Sequence, residues 1–258
     1  MILTINEALR GKATRIKNKE YFETAAYLEP FLEIMSEYTD EFIIQAKPPT
    51  QVTKTKKGEL DLDDITFNRM YIQAVLPKEL SYDNHKEVIG MVYGLDVIKP
   101  VVKLFSGGLN MACTNLSVFN PYDLHTDVME PESNINFSPL KRMLDNRTDA
   151  AEYLKQLSNI YLKREKRVLE KELGKWMYNS MINSYQTPFS KPKLSADIIN
   201  KSFKSLFLDE DSGYYVEEGD DVSMFNVYNA FTDQICNKDK DIMNKAEKVL
   251  LLRNILEF

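Results

Sequence analysis

The chain has 258 residues, 43% of them hydrophobic, with 13 phenylalanines and 14 tyrosines, so it can bury the core of one large domain. Its net charge of −6 and its pI near 5.2 argue against a protein that coats nucleic acid over its whole surface. Two cysteines are too few for a disulfide framework, and no run of 18 apolar residues occurs, so we expect a soluble, non-secreted protein with no membrane partner.

The first predicted elements are helical and are followed by a basic connection. Apolar residues recur at helical spacing from Tyr21 to Ile44, and Pro30 is expected to separate or kink two helices there. Residues 47–58 contain two prolines, four lysines and one glycine but no acid. This composition predicts a loop or hairpin tip, either as a basic finger or as a plain surface hairpin.

The stretch from Phe67 to Asn120 is the only long region with the composition of β-strands. One strand is predicted at 71–76 and ends before Pro77, which cannot donate to a ladder. Gly90 and Gly94 lie inside the next apolar run and predict a bulge or a close approach. A further strand follows at 101–105, and the glycine pair at 107–108 predicts a turn before the last strand.

The segment 121–139 is predicted to be an irregular acidic loop. His125 lies near three acids there, which would allow a metal site, but the only other histidine of the chain is distant in sequence, so we predict no metal and no cofactor. Cys113 is interpreted as a buried small residue, because a nucleophile would need a base beside it. An enzyme built on Cys113 or on the acids near His125 is therefore the weakest hypothesis.

The longest predicted helical region runs from Leu140 to Ser184 and has a basic polar face. Between residues 141 and 175 there are ten lysines or arginines and six acids, and the densest cluster is KREKR at 163–167. Such a face is either a salt-bridged exposed surface or a track for phosphates.

The C-terminal quarter is predicted to contain three helices and an acidic connection. Ser195 is placed to cap the first helix. Seven acids lie between residues 209 and 221, and a helix at 224–235 precedes a final amphipathic helix at 238–258.

These elements predict an α+β fold in a single domain of residues 1–258. A small antiparallel sheet of three to five strands, at about residues 60–120, packs against a helical region at about 140–258. Several strands are apolar on both faces, so helices should cover one side and part of the other.

Three short motifs in the later part of the chain resemble a protein family. VIGMVYGLD (88–96), KLFSGGLNMACTNL (103–116) and SMFNVYNAFTD (223–233) resemble a phage- and plasmid-borne domain family of unknown function. The resemblance implies a mobile-element origin and a fold of this order, and it implies no reaction.

Two functions follow from these features. The first is a phage-encoded, non-enzymatic DNA-transaction protein that binds or anneals single-stranded DNA, with Tyr71 or Tyr93 as stacking surfaces. Its phosphate contacts are predicted at two clusters, which are Lys54, Lys56 and Lys57 and then Lys163, Arg164, Lys166 and Arg167. The alternative is a virion component or a binder of a host defence protein, with no nucleic-acid contact. Both functions predict a homo-oligomer in the host cytoplasm. The alternative function also allows a location in the virion.

Overall fold

The structure is a computed structural model of the chain. It describes residues 2–14, 21–47, 67–79, 85–94, 101–111, 116–117, 124–128, 137–145, 161–162, 194–217, 220–239 and 241–256.

The strands form one large antiparallel sheet and two small ones. The large sheet has the order β1-β4-β5-β6-β7-β8, with β9 also paired to β7, and five of its strands have five or more residues. β2 pairs with β3 and β10 with β11. The strand bounds are β1 Ile2–Leu3, β2 Lys12–Thr14, β3 Tyr21–Glu23, β4 Phe42–Ala46, β5 Arg69–Glu79, β6 His85–Gly94, β7 Val101–Asn110, β8 Leu116–Ser117, β9 Leu124–Val128, β10 Tyr161–Leu162 and β11 Val222–Ser223.

Most of the described helices lie in the C-terminal half. A π-helical turn, Gln234–Lys238, and a 3₁₀ turn, Ile242–Asn244, connect the last two helices. The helix bounds are α1 Ile5–Arg10, α2 Ala25–Ser36, α3 Ser138–Asp145, α4 Ala196–Phe207, α5 Met224–Asp233 and α6 Lys245–Leu256. The predicted α+β class, with its antiparallel sheet and helical C-terminal half, is confirmed.

Helices cover both faces of the sheet because the strands are apolar at successive positions. Side chains alternate between faces along a strand, so Met70 and Ile72 of β5 belong to one core and Tyr71 and Val75 to the other. The first core packs against α1, α2 and α3. The second packs against α4, α5 and α6, which form the layer that we call the C-terminal layer.

Two glycines in β6 mark close approaches of neighbouring side chains, as their positions predict. A Cβ atom on Gly90 would lie 2.0 Å from the ring of Phe105 on the adjacent strand, and one on Gly94 would lie 2.6 Å from the Met243 side chain. Phe105 therefore lies over the backbone of β6, where it stacks on Tyr71 with ring centroids 5.3 Å apart. The absent side chain at Gly90 makes room for an aromatic pair.

Two predicted strand ends are wrong. The glycine pair at 107–108 is no turn but lies inside β7, where both residues pair with β6. β5 continues through Pro77, which is exposed, to Glu79, with a register shift between Val75 and Glu79. A proline fits there because an irregular stretch of ladder does not need its missing N–H.

The helical prediction for 21–44 is also partly wrong. Pro30 lies inside one continuous helix, α2, and separates nothing. Its neighbours Leu28 and Phe31 are fully buried, and this burial offsets the lost hydrogen bond. Phe42 begins β4 and does not continue the helix.

Three later bounds differ from the predicted ones. The segment predicted as an irregular loop contains β9, and α3 begins at Ser138. Tyr161 and Leu162 lie in a strand, inside the helical region predicted from Leu140 to Ser184. The last helix begins at Lys245, later than expected. The cap at Ser195 is confirmed, since its side chain accepts from the Ile198 N–H at 3.3 Å.

Candidate functional site

The predicted phosphate-binding residues lie outside the described part of the chain. This holds for Lys54, Lys56 and Lys57 and for Lys163, Arg164, Lys166 and Arg167. Their flanks are described. The Lys47 N–H donates to the Arg69 carbonyl at 3.1 Å, so the first basic segment departs from the β4–β5 ladder. The second follows directly after β10, which pairs with β11.

These two flanks lie at opposite ends of the large sheet. Arg69 pairs with Gly94, the last residue of β6. β11 leads into α5, whose Phe225 ring lies 6.3 Å from the ring of His85, the first residue of β6. A ten-residue strand spans about 30 Å. The flanks therefore do not border one shared groove.

The stacking role predicted for Tyr71 and Tyr93 is wrong, because both side chains are buried. Tyr71 is 2% exposed and Tyr93 is fully buried. The Tyr93 hydroxyl donates to the Phe67 carbonyl at 3.2 Å, inside the core. Burial raises the pKa of both phenol groups well above the ordinary value for tyrosine. Neither ring can receive a nucleotide base.

A group of charged side chains joined by ion pairs lies between the sheet and the start of α6. We call it the buried ionic cluster and define it as Lys103, Asp239, Asp241, Lys245, Glu247 and Lys248. It contains three cations and three acids, so its formal charge is zero. All three lysines are less than a tenth exposed.

Lys103 connects the middle of the sheet to the first turn of α6. Its ammonium group forms an ion pair with Glu247 and donates to the Asn244 Oδ1 at 2.8 Å and to the Met243 carbonyl at 3.1 Å. The other carboxylate oxygen of Glu247, Oε2, is buried and has no hydrogen-bond partner. The same holds for the Nε2 of Gln73, a strand residue that is 4% exposed.

Lys245 is held by neutral groups. Its Nζ donates to the Gln45 Oε1 at 3.0 Å and to the Cys236 carbonyl, and it lies 5.4 Å from the centroid of the Tyr71 ring. Burial lowers the pKa of Lys245, although nearby acids oppose this shift. The π-helical turn presents the Cys236 carbonyl, and π-helical turns occur frequently at functional sites.

Lys248 is paired with two acids at the entrance to α6. Its Nζ lies 2.5 Å from Asp239 Oδ2 and 3.0 Å from Asp241 Oδ2. Burial alone would lower the pKa of Lys248, but the hydrogen bonds and charges of both aspartates raise it. Burial would likewise raise the pKa of Asp241, but hydrogen bonds from Asn244 and Lys248 lower it.

This arrangement fastens the C-terminal layer to the sheet through contacts between α6 and the strands. Two surface grooves of about 350 and 480 Å³ share the lining residues Gln234 and Lys238, and Asp239 of the cluster lines the first. None of the three buried lysines lines either groove. Both grooves are lined by aspartates and lysines. No pattern in the sequence predicted these grooves.

The residues of the enzyme hypothesis are only partly described. Cys113 lies outside the described residues. His125 belongs to β9, where its backbone pairs with Leu104 in place of the expected loop. Among the described residues, no three histidines, cysteines or acids form a group that could hold a metal. His85, the other histidine, is 1% exposed in the sheet.

The exposed surface of α2 and the C-terminal layer are both acidic. Glu29, Glu33 and Glu37 are exposed along α2, on one side of the sheet. On the other side, residues 194–258 contain thirteen acids and seven lysines or arginines, while residues 1–193 contain 26 of each. The whole net charge of −6 therefore belongs to the segment that forms the C-terminal layer.

None of the helices in the described part of the chain is both long enough and apolar enough to cross a membrane. No protein-family model, curated protein or solved structure matches the chain, so its resemblance to a phage- and plasmid-borne family stays a prediction.

Proposed function

We propose that the chain is a non-enzymatic DNA-transaction protein of phage or plasmid origin that binds single-stranded DNA through its two basic segments, 47–57 and 163–167. The observation that supports this most is the anchoring of both segments in β-ladders, at Lys47 and at Tyr161–Leu162, on an otherwise acidic body. Phosphate contacts then come from the two ends of the sheet, and not from its faces.

The charge distribution favours this placement. Several lysines of the body are paired with acids: Lys103 and Lys248 in the buried ionic cluster, and Lys86, which bonds to Glu41 at 2.9 Å. The acidic α2 and C-terminal layer would repel a polyanion. The net negative charge therefore does not argue against phosphate binding at the sheet ends.

Binding of this kind should depend on salt and be nearly independent of sequence. Lysines and arginines contact phosphates without reading bases, and counterion release makes the affinity fall with salt. Because Tyr71 and Tyr93 are buried, stacking on these rings contributes nothing, and electrostatics supplies most of the affinity.

A charge-reversal experiment tests the role of the first segment. In the variant K54E/K56E/K57E we expect weaker binding to a labelled oligo-dT. If each lysine contacts one phosphate, the slope of log K against log salt should become less steep by about 2. Fluorescence anisotropy at several salt concentrations measures both quantities.

The matched control is K201E/K204E/K238E, which changes the net charge equally but alters exposed lysines of the C-terminal layer. The slope of log K against log salt for this control should equal that of the unmodified protein. Equal losses of affinity and equal slopes in the two variants would contradict a local contact at 54–57 and indicate a response to overall charge alone.

A protein partner is the second candidate, and one surface feature favours it. Leu208 is 69% exposed directly after α4 and precedes Asp209, Glu210 and Asp211. An apolar side chain bordered by acids is suited to a basic protein surface. Absence of DNA binding at low salt, together with a defined oligomer, would favour this function.

A further inference from the structure

The larger of the two surface grooves, of about 480 Å³, has a lining that suits a cationic ligand. It lies where the loop after α4 meets the end of α5 and the π-helical turn. Asp209, Asp233 and Lys238 are its charged lining residues, so its formal charge is −1. We call it the Asp209 groove. A Cβ atom on Gly213, another lining residue, would meet no atom within 4 Å, so this part of the groove is open.

Gln234 supplies a hydrogen-bond acceptor to this groove. The residue lines the groove although it is only 7% exposed. Its Nε2 donates to the Asp233 Oδ2 at 3.5 Å, and because a carboxylate accepts hydrogen bonds, this contact assigns the other amide atom as the oxygen. Within the described part of the chain, no group donates to that oxygen. A polar atom on a buried side chain is normally satisfied, so the oxygen is available to an N–H donor of a ligand.

The carboxylates beside Gln234 are not neutralised by lysines of the described chain. Asp209 forms no ion pair there, and neither does Lys238. The Asp233 carboxylate accepts from two neutral amides, Nδ2 of Asn237 at 2.8 Å and the Gln234 Nε2. Both carboxylates therefore keep their charge for a cationic partner.

The smaller groove, of about 350 Å³, differs in this respect. Its two acids already have cations, since Asp197 pairs with Lys201 at 2.8 Å and Asp239 pairs with Lys248 at 2.5 Å. A cation entering that groove would have to displace a lysine. The unpaired carboxylates and the free amide oxygen thus favour the Asp209 groove.

We propose that the Asp209 groove binds an arginine side chain of a partner protein. A guanidinium group presents its N–H donors in a planar fork, which can bond to the Gln234 oxygen and to both carboxylates at once. Tyr214 also lines the groove, and guanidinium planes stack on aromatic rings. Leu208, which is 69% exposed and directly precedes Asp209, offers an apolar contact to the residue beside the arginine. This site refines the second candidate function, the protein partner, and does not depend on DNA binding.

Peptide titrations test the ligand class. A labelled peptide with blocked ends, glycine-arginine-leucine-glycine, is titrated with the full chain and followed by fluorescence anisotropy. We expect it to bind at least fivefold more tightly than the same peptide with citrulline, which keeps the shape of arginine without its charge. A peptide with lysine should bind at least twofold more weakly than the arginine peptide. Equal affinities for the arginine and citrulline peptides, or no binding of either, would overturn the site. Equal affinity for the lysine peptide would overturn the choice of arginine.

Matched variants locate the binding. D209N removes a carboxylate from the groove and should weaken binding of the arginine peptide at least fivefold. D211N removes the same charge from an exposed residue of the same loop, outside the groove lining, and should weaken binding less than twofold. Q234M removes the amide oxygen at similar side-chain length and should weaken binding at least threefold, with circular dichroism as the check on folding.

Equal losses of affinity in D209N and D211N would overturn the site and indicate a response to overall charge. No DNA is present in these titrations. Failure of the arginine site is therefore distinguishable from failure of the proposed DNA binding, which the oligo-dT measurements decide.

Discussion

Replacing Lys103 with methionine is expected to lower the free energy of unfolding by about 3 kcal/mol, the size typical of a broken buried ion pair. The variant leaves the Glu247 carboxylate without its cation, although one oxygen of that carboxylate already has no hydrogen-bond partner. It also removes the donor to Asn244 and to the Met243 carbonyl. Urea denaturation followed by circular dichroism measures the loss.

Two further variants make this prediction specific to the buried pair. K201M breaks the exposed Lys201–Asp197 pair on α4, whose side chains are 57% and 71% exposed, and should cost only about 0.5 kcal/mol. The double variant K103M/E247L removes both charges and should recover at least half of the loss, because no carboxylate stays buried without its cation. If K103M cost no more than K201M, the cluster would not fasten the C-terminal layer.

The substitution G90A is expected to destabilise the protein by about 3 kcal/mol, near the upper end for an overpacked core. The added methyl group would lie 2.0 Å from Phe105, which is fully buried and stacked on Tyr71, so the ring must move or the strands must separate. The midpoint of urea unfolding measures the change.

G213A is the matched control for this substitution. A Cβ atom on Gly213 would meet no atom within 4 Å, so the variant should be as stable as the unmodified protein. A smaller ring neighbour, in G90A/F105L, should recover part of the loss relative to G90A alone. Full stability of G90A would contradict the packing of Phe105 over β6.

The sequence was sufficient to predict the fold class, because apolar β-branched runs and helical periodicity are local signals. It was insufficient where tertiary burial outweighed a local rule. Pro30 stays inside α2, since Leu28 and Phe31 are buried beside it. The glycines at 107–108 stay inside β7 because both neighbouring strands pair with that region.

The candidate site was harder to predict because its contacts join distant parts of the chain. Lys103 and Asn244 lie 141 residues apart. The local signal was a single lysine in the apolar run VVKLF, which by itself does not name a partner. Tyr71 and Tyr93 were misassigned because a strand that is apolar at successive positions does not reveal which of its residues the helices cover completely. The basic segments remain predictions, since they lie outside the described residues.

The measurement that tests the central claim most directly is a titration of the unmodified protein into labelled single-stranded DNA at low and moderate salt, with its mass in solution measured alongside. We predict binding that weakens steeply with salt, with a slope of about −5 in log K against log salt if all seven predicted cations contact phosphates. No binding at low salt would contradict DNA binding through the basic segments and would direct attention to a protein partner of the acidic surface.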